Sequence, residues 1–213
     1  RSLALDQKKY FDVVLDDVER AQSVDGGRIL QEAVDKAAYG LAKTIDTYVL
    51  AAMAAGASAS APDHQVAEAT ISTASGAYDA LVAWSVLLDD ADVPEEGRWT
   101  IVTPGFHGLL LKDSRFISSG DAAAAAVRAN GRVGFAAGFD VMKSTNLPDG
   151  AGAGAGKAMI AGYRGATTFA SQLQSVEAYR TEKAFKDGVK GLTVYGAKVT
   201  RSTGLVVADV IVG

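Results

Sequence analysis

The sequence predicts an α+β fold, in which one long helix is combined with strands near both ends of the chain. Hydrophobic and polar residues alternate over residues 2 to 18, which is the period of a half-buried strand. Apolar residues recur at spacings of three and four over residues 30 to 52, which predicts a helix of about 28 residues. Residues 192 to 199 return to the period of a strand. These three observations determine the class.

The first strand is predicted because its odd positions are apolar and its even positions carry acids and lysine. The apolar odd positions are Leu3, Leu5, Phe11, Val13 and Leu15. The long helix that follows would extend about 40 Å at about 1.5 Å per residue. This length suits a spine that sets the shape of a flat molecule, and it also suits an ordinary core helix, because periodicity does not separate the two. The tract GASASAP at residues 56 to 62 ends the helix and predicts a domain boundary.

The remaining elements follow from the same periodicities. A second helix is predicted from about residue 65 to 88, with a stripe formed by Ala69, Thr73, Ala77, Leu81, Trp84 and Leu88. A strand at 99 to 103 and a short helix at 106 to 111, with Pro104 in its first turn, come next. Strands are then predicted as a pair within 132 to 141 around Gly138, at 158 to 170 and at 204 to 212.

Composition limits the classes of function. The chain has 213 residues, no cysteine and a formal net charge of −4. It can bury roughly 70% of its unfolded surface without disulfides, and thiol catalysis and thiolate metal sites are excluded. The near balance of charge argues against a dedicated nucleic-acid binder. No apolar run approaches the roughly 18 residues of a membrane helix. The first residues, RSLALDQ, are neither a signal peptide nor an initiator methionine, which predicts that the chain begins inside a longer gene product.

The tract DGAGAGAGKA, residues 149 to 158, resembles a phosphate-binding loop only in its glycine content. A Walker loop ending at Gly156 and Lys157 would need glycine at Ala151 and Ser or Thr at Ala158. The dinucleotide fingerprint fails too, because the glycines have the wrong spacing and follow a turn rather than a strand. We therefore expect a flexible loop and no nucleotide cofactor.

The other candidates for chemistry are also weak. His64 and His107 lack metal-ligand spacing and are expected to be ordinary surface or core histidines. The acids between Asp89 and Glu96 could bind a hard cation, but they lack the rhythm of a calcium loop, which favours a solvated helix end. No serine lies in a GxSxG elbow, and the aromatic residues favour a core over a base-stacking platform. Paired carboxylates remain open, because they need only proximity in three dimensions. The sequence predicts no catalytic, cofactor-binding or metal site.

The segment EAYRTEKAFKDGVKGLTVYGAKVTR, residues 177 to 201, is the most informative part of the chain. Both signs of charge lie on its first half, as a solvated ribbon or a short helix, and a strand follows directly. No nucleophile, metal ligand or phosphate cradle accompanies it. The pattern is typical of a surface that contacts protein, although a solvated charged face of little energetic consequence has the same pattern.

This segment belongs to a set of blocks that together resemble a known family. The other blocks are DQKKYFDVVLDDVERAQ at 6 to 22, VPEEGRW at 93 to 99, LLLKDSRF at 109 to 116 and GFDVMKSTNLP at 138 to 148. In this order, and over nearly the whole chain, they resemble a tailed-bacteriophage major capsid protein. The resemblance implies the Hong Kong 97 fold, with a long spine helix, a peripheral domain and an axial domain.

The resemblance also implies an arrangement of domains. Residues 1 to 57 would form the first part of the peripheral domain with the spine helix, 58 to 165 the axial domain, and 166 to 213 the return segment of the peripheral domain. The loop with Asp149, Gly150, Gly152, Gly154 and Gly156 would face the fivefold or sixfold axis. Salt bridges to a neighbouring subunit are expected from four residues of the charged segment, namely Glu177, Arg180, Lys183 and Lys186.

The implied function is structural and not enzymatic. Copies of the chain would form pentamers and hexamers in an icosahedral shell around double-stranded DNA, with scaffold and portal proteins as further partners, non-specific contact with the packaged DNA, and no membrane. Assembly would take place in the host cytoplasm, and the protein would reside in the virion. The family's N-terminal arm and extended loop have no counterpart ahead of residue 5, so this chain alone could be unable to close a shell, and no crosslinking residue is predicted. Two alternatives are an encapsulin-type compartment shell and, from the glycine tract alone, a nucleotide-using enzyme.

Overall fold

The computed structural model describes residues 2–22, 28–59, 63–113, 134–152, 154, 156–182 and 184–213. Its helices are α1 (Asp17–Gln22), α2 (Arg28–Gly56), α3 (Ala74–Asp90) and α4 (Pro104–Leu110). Its strands are β1 (Gln7–Asp16), β2 (Gln65–Ile71), β3 (Arg98–Val102), β4 (Phe135–Ala136), β5 (Phe139–Lys143), β6 (Lys157–Tyr163), β7 (Thr167–Arg180), β8 (Lys186–Val199) and β9 (Leu205–Val212). They form a three-stranded sheet in the order β1-β8-β7 and a six-stranded sheet in the order β2-β9-β6-β3-β5-β4. The predicted α+β class is confirmed.

The chain divides into two compact units. Unit 1 consists of Arg1–Val49 and Phe169–Ala197, and unit 2 consists of Leu50–Thr168 and Lys198–Gly213. The chain passes from one unit to the other after residues 49, 168 and 197, and the last strand, β9, belongs to unit 2. The assignment of peripheral and axial roles to these residues stays a prediction.

Unit 1 contains the three-stranded sheet and the first part of α2. β1 pairs antiparallel with β8, from Gln7 opposite Tyr195 to Asp16 opposite Lys186. The alternation predicted for β1 is confirmed, because Phe11 and its odd-numbered apolar neighbours are partly buried while the residues between them are mostly exposed. Tyr195 is fully buried, and its ring meets the edge of Tyr48, on α2, at a centroid distance of 5.4 Å. This contact holds α2 against one face of the sheet.

Unit 2 contains the large hydrophobic core cluster of the described residues. The buried stripe of α3 consists of Ala77, Leu81, Trp84 and Leu88, as the periodicity predicts. Trp84 stacks on Phe106 of α4 with ring centroids 5.8 Å apart. The central strands β6 and β9 are buried along nearly their whole length, which is typical of strands covered on both faces.

The second helix is shorter than predicted, because residues 65 to 71 form β2. This strand pairs in parallel with β9, and α3 begins only after Thr73. The Thr73 hydroxyl accepts a hydrogen bond from the Gly76 amide at 3.1 Å, a cap worth about 1 kcal/mol. The helical stripe predicted through Ala69 was wrong because small residues there fit both periods, and the backbone hydrogen bonds to β9 decide for the strand.

The strand predicted at 158 to 170 is also corrected, since a 3₁₀ turn at Arg164–Ala166 divides it into β6 and β7. The Thr200 hydroxyl lies 3.0 Å from both the Gly165 and the Ala166 carbonyl oxygens, which stabilises the turn. β1, α2, β3, α4, the β4–β5 pair and β9 confirm the corresponding predictions, with Pro104 in the first turn of α4. Among the described residues, no helix has both the length and the hydrophobicity to cross a membrane.

Candidate functional site

The charged segment forms the end of β7, a turn and the start of β8. Arg180 ends β7, and its guanidinium binds two carboxylates of the same chain: Nη2 lies 2.7 Å from Asp17 and Nη1 lies 3.3 Å from Asp187. The Arg180 side chain is still 57% exposed. Lys183, the third predicted contact, lies outside the described residues. The segment is therefore a solvated ribbon, and the alternative of a short helix does not apply to its described part.

Two lysines of the ribbon also form ion pairs with acids on neighbouring strands. Lys186 lies 3.4 Å from Asp16, directly opposite in the register. Lys190 lies 3.3 Å from Glu177. Each exposed pair contributes at most about 1 kcal/mol. Glu177, Arg180 and Lys186 thus have partners within the chain, and their contact with a neighbouring subunit stays a prediction.

Tyr179 anchors the same face of the sheet. Its hydroxyl donates to the Asp12 carboxylate at 2.8 Å, and this hydrogen bond raises the pKa of Tyr179 above its ordinary value. The Lys190 ammonium lies 5.6 Å from the centre of the Tyr179 ring, within range of a cation–π contact. Hydrogen bond, ion pair and ring contact together link β1, β8 and β7 on the water-facing side.

Large apolar side chains lie exposed beside these charges. Tyr10 and Phe185 are each 79% exposed, and Val176 is 66% exposed. Tyr10 also borders a shallow depression of about 500 Å³ on the sheet, together with Glu177 and Lys190. Large aromatic rings left in water on the exposed face of a sheet are typical of a contact surface. Sequence reasoning selected the charges of this surface and missed its aromatic residues.

The glycine tract is held by two carboxylates of the chain itself. The Gly152 amide donates to Asp209 at 2.7 Å, and the Gly154 amide donates to Glu68 at 2.9 Å. A Cβ on Gly150 or Gly156 would overlap the Asp209 carboxylate. The predicted flexible loop therefore has specific contacts with β9 and β2. The amides of Gly152 and Gly154 thus donate to protein carboxylates, a negative surrounding that disfavours a phosphate at these two amides.

Asp209 and Glu68 together account for the four glycines of the tract. Asp209 is 7% exposed, on β9, and a buried carboxylate is costly unless it is hydrogen-bonded. A Cβ on Gly150 or Gly156 would overlap Asp209, and one on Gly152 or Gly154 would overlap Glu68. Asp149, at the start of the tract, pairs with Lys157 at 2.5 Å. Whether this loop faces a symmetry axis stays a prediction.

The acidic stretch at the end of α3 lies next to a buried arginine, whose burial the sequence did not reveal. Arg98 is 3% exposed. It donates to the Pro94 carbonyl at 3.0 Å and the Val93 carbonyl at 2.5 Å, and it pairs with Asp89 at 2.7 Å. The remaining acids, Asp90, Asp92, Glu95 and Glu96, are exposed, as predicted for a solvated helix end. Across the described residues, no three acids or histidines come together as metal ligands.

Both histidines lie in the core of unit 2. His64 is fully buried, with Nδ1 3.0 Å from the Leu205 carbonyl oxygen. His107 is 5% exposed, and burial, together with the positive charge of Lys143, lowers the pKa of its imidazole. His107 is therefore neutral near pH 7. Both are therefore core histidines, as one of the two predicted environments has it. The expectation that they would be fully hydrogen-bonded is not met, because Nε2 of each ring is buried without a hydrogen-bond partner among the described residues.

With the geometry established, comparison with known proteins identifies the family. The family model for phage capsid protein matches residues 3–208. The chain belongs to this family. The capsid protein is accordingly a structural protein of the virion, and the predicted major capsid function is confirmed. A search of curated proteins gave no match.

Solved structures confirm the Hong Kong 97 fold of the capsid protein. A structure from Mycobacterium phage Che8 is 28% identical with a TM-score of 0.78, over 97% of this chain and 71% of that one. The capsid structure of the cyanophage P-SCSP1u is 18% identical with a TM-score of 0.77, over 99% and 74%. The holo-SrpI encapsulin complex from Synechococcus elongatus is 10% identical with a TM-score of 0.60, over 95% and 73%. The last two share the fold alone.

Proposed function

We infer that the capsid protein assembles, without catalysis, into pentamers and hexamers of an icosahedral head that encloses double-stranded DNA. The observation that carries this inference is the family match over nearly the whole chain. Scaffold and portal proteins would be further partners, contact with the packaged DNA would be non-specific, and assembly would take place in the host cytoplasm.

The incomplete burial of unit 1 supports assembly as the function. The hydrophobic core cluster of the described residues lies in unit 2. Unit 1 buries Tyr195 but leaves Tyr10, Tyr39 and Phe185 each at least 75% exposed. Apolar surface removed from water contributes about 25 cal/mol per Å². Neighbouring subunits would gain this free energy by covering unit 1.

Weak contacts are sufficient for such a shell. A contact of about −4 kcal/mol corresponds to only millimolar affinity. Several such contacts per subunit act together, because each one made raises the effective concentration for the next. Assembly errors in such a shell can also be reversed, because a misplaced subunit needs to break only a few weak contacts in order to dissociate.

The division of the chain into two compact units supports the assignment of a peripheral and an axial domain. Unit 1, with the ribbon and the first part of α2, would form the peripheral domain, and unit 2 would form the axial domain. This proposal assigns β9 to the axial domain, because β9 pairs with both β2 and β6. The glycine tract would then lie on the axial domain, with its tip towards the symmetry axis.

Particles from the full-length gene would test the proposed function. Expression is expected to give closed icosahedral particles in electron microscopy, or open assemblies that close when a scaffold protein is co-expressed. In infected cells the same particles should contain double-stranded DNA. Particles filled with a host enzyme would instead support the encapsulin alternative, and a monodisperse monomer under all conditions would contradict both.

Charge reversal at Arg180 would test the predicted subunit contact. Arg180→Glu in the full-length protein is expected to lower the yield of particles several-fold and to change its dependence on salt, because the exposed part of the guanidinium would meet a neighbouring acid. Thermal unfolding of the subunit would measure separately the loss of the pairs with Asp17 and Asp187. Arg164→Glu, an exposed arginine of unit 2, is the matched control. Unchanged yield and salt dependence would leave Arg180 with an intramolecular role only.

A further inference from the structure

Two carboxylates of unit 2 meet beneath the glycine tract. The register of the parallel strands β2 and β9 shifts between Val66 and Ala69, so that two residues of β2 lie opposite Asp209 of β9. This arrangement is a β-bulge, which re-aims a side chain of the bulged strand, and Glu68 is one of the two bulged residues. A Cβ on Gly152 would overlap both Glu68 and Asp209. The bulge therefore brings the second carboxylate to the first.

The separation of these carboxylates suits a single bound ion. Glu68 Oε2 and Asp209 Oδ2 both lie within 2.8 Å of the position that a Cβ on Gly152 would take, so the two oxygens are separated by no more than twice that distance. A Ca²⁺ ion binds oxygen ligands at about 2.3 to 2.6 Å. One ion between the two oxygens thus matches their spacing.

The negative charge of the pair is not balanced within the described chain. Asp209 is 7% exposed, and its Oδ1 is buried without a hydrogen-bond partner among the described residues. The amides of Gly152 and Gly154 donate one hydrogen bond to each carboxylate, but amides carry no net charge. In the part of the chain that the structure describes, no lysine or arginine pairs with either acid, and Lys157, beside the tract, pairs with Asp149. A buried charge without a counter-charge is costly, which points to a cation as the missing partner.

We propose that Asp209 and Glu68 bind a hard divalent cation beneath the glycine tract, with Ca²⁺ as the preferred ion. Carboxylate oxygens select calcium and magnesium over the softer metals, and Ca²⁺ accepts the irregular geometry of a bulge better than Mg²⁺ does. Its two positive charges balance the two carboxylates. The exposed Glu68 gives the ion a route from solvent.

The two acids would hold the ion weakly. Two protein carboxylates are fewer ligands than a closed calcium site contains, so water or main-chain carbonyl oxygens complete the coordination shell. The bound ion links β2 to β9 under the tract and thereby stabilises the loop of residues 149 to 157. This inference goes beyond the proposed function, because binding takes place within one subunit and does not require assembly.

Calorimetric titration of the full-length protein, after removal of metal with a chelator, would test the site. Ca²⁺ is expected to bind as one ion per chain with a Kd of about 10⁻⁴ to 10⁻³ M, and Mg²⁺ more weakly. Saturating Ca²⁺ should raise the Tm by several degrees, because a ligand of the folded state stabilises that state. It should also slow hydrogen exchange of residues 149 to 157. NaCl at the same ionic strength controls for screening and should produce neither change.

Neutral variants would assign the ion to these two residues. Asp209→Asn and Glu68→Gln should each weaken Ca²⁺ binding about tenfold or more, because each removes a charged ligand. Glu68 is exposed, so Glu68→Gln is expected to fold, and this variant decides the question if Asp209→Asn does not fold. Glu95→Gln, which changes an exposed acid at the end of α3, is the matched control and should bind Ca²⁺ like the unchanged protein.

Two results would overturn the cation site. One is a full-length protein whose Tm and heat of titration do not respond to Ca²⁺, as expected if a basic side chain of a neighbouring subunit balances the pair instead. The other is a Glu68→Gln variant that binds Ca²⁺ as tightly as the unchanged protein, which would place the ion elsewhere. Both results leave the proposed function intact, because particle formation is measured separately.

Discussion

Arg98→Met is expected to lower the free energy of unfolding of the subunit by about 3 kcal/mol. The guanidinium is buried, and its donors satisfy the Val93 and Pro94 carbonyls, the Ser85 hydroxyl and the Asp89 carboxylate. Methionine fills a similar volume and satisfies none of these groups, so buried carbonyls lose their partners. Asp89 would also lose its counter-charge near the C-terminal end of α3, where a negative charge is unfavourable.

Thermal and urea unfolding of the purified subunit would measure this effect. For a chain of this length the expected loss corresponds to a Tm lower by about 10 °C. Arg164→Met is the matched control, because Arg164 is exposed and surface substitutions usually change stability by no more than about 0.5 kcal/mol. Arg98→Lys should be intermediate, since lysine keeps the charge but not the fork of donors. A loss below about 1 kcal/mol for Arg98→Met would contradict the conclusion that the hydrogen bonds of Arg98 stabilise residues 89 to 94.

Gly150→Ala is expected to destabilise the subunit by about 1 to 3 kcal/mol. The added methyl group would overlap the buried Asp209 carboxylate, so either the loop or Asp209 must move. Movement would disturb the hydrogen bond that the Gly152 amide donates to Asp209. Hydrogen exchange of residues 149 to 157 should become faster in this variant, and the unfolding midpoint should fall.

The sign of the stability change caused by Gly150→Ala distinguishes a packed loop from a flexible one. In a flexible loop, Gly→Ala stabilises by about 0.4 to 1 kcal/mol through the unfolded state. Gly40→Ala is the matched control, because Gly40 is in α2 with no atom within 4 Å of an added Cβ. It is expected to stabilise by about 0.5 to 1 kcal/mol. If both substitutions stabilise, the glycine tract is a linker and its contacts with Asp209 are unimportant.

Periodicity predicted most of the elements, because apolar residues recur at regular intervals in a helix or strand that is buried on one face. The odd-numbered apolar residues of β1 and the stripe of α2 are examples. The prediction failed at β2, where alanine and threonine fit both a helix and a strand. The information that decides this segment is in β9, more than 130 residues away, whose backbone pairs with β2. The Thr73 cap was the local signal that could have placed the start of α3 correctly.

The interactions of the candidate surfaces were less predictable than the elements. The alternating glycines show that one side of the tract has no room for side chains, but the partner, Asp209, is far along the chain. Nothing in the sequence distinguishes Arg98 from the other arginines, because its burial is known only from the structure. For Glu177 and Arg180, the charges are visible in the sequence but their partners are not. Glu177 pairs with Lys190, and Arg180 pairs with Asp17 and Asp187. Long-range contact is the information that a single sequence does not contain.

The ribbon of unit 1 has a mechanical consequence. β7 and β8 contain 14 residues each, about 46 Å of strand at about 3.3 Å per residue, in a sheet only three strands wide. Bending or twisting such a strip leaves the core cluster of unit 2 intact. It strains the contact between Tyr195 and Tyr48 and stretches ion pairs of little energy. One chain could therefore adopt the different curvatures of five- and six-membered rings by elastic deformation, with no switch between discrete conformations.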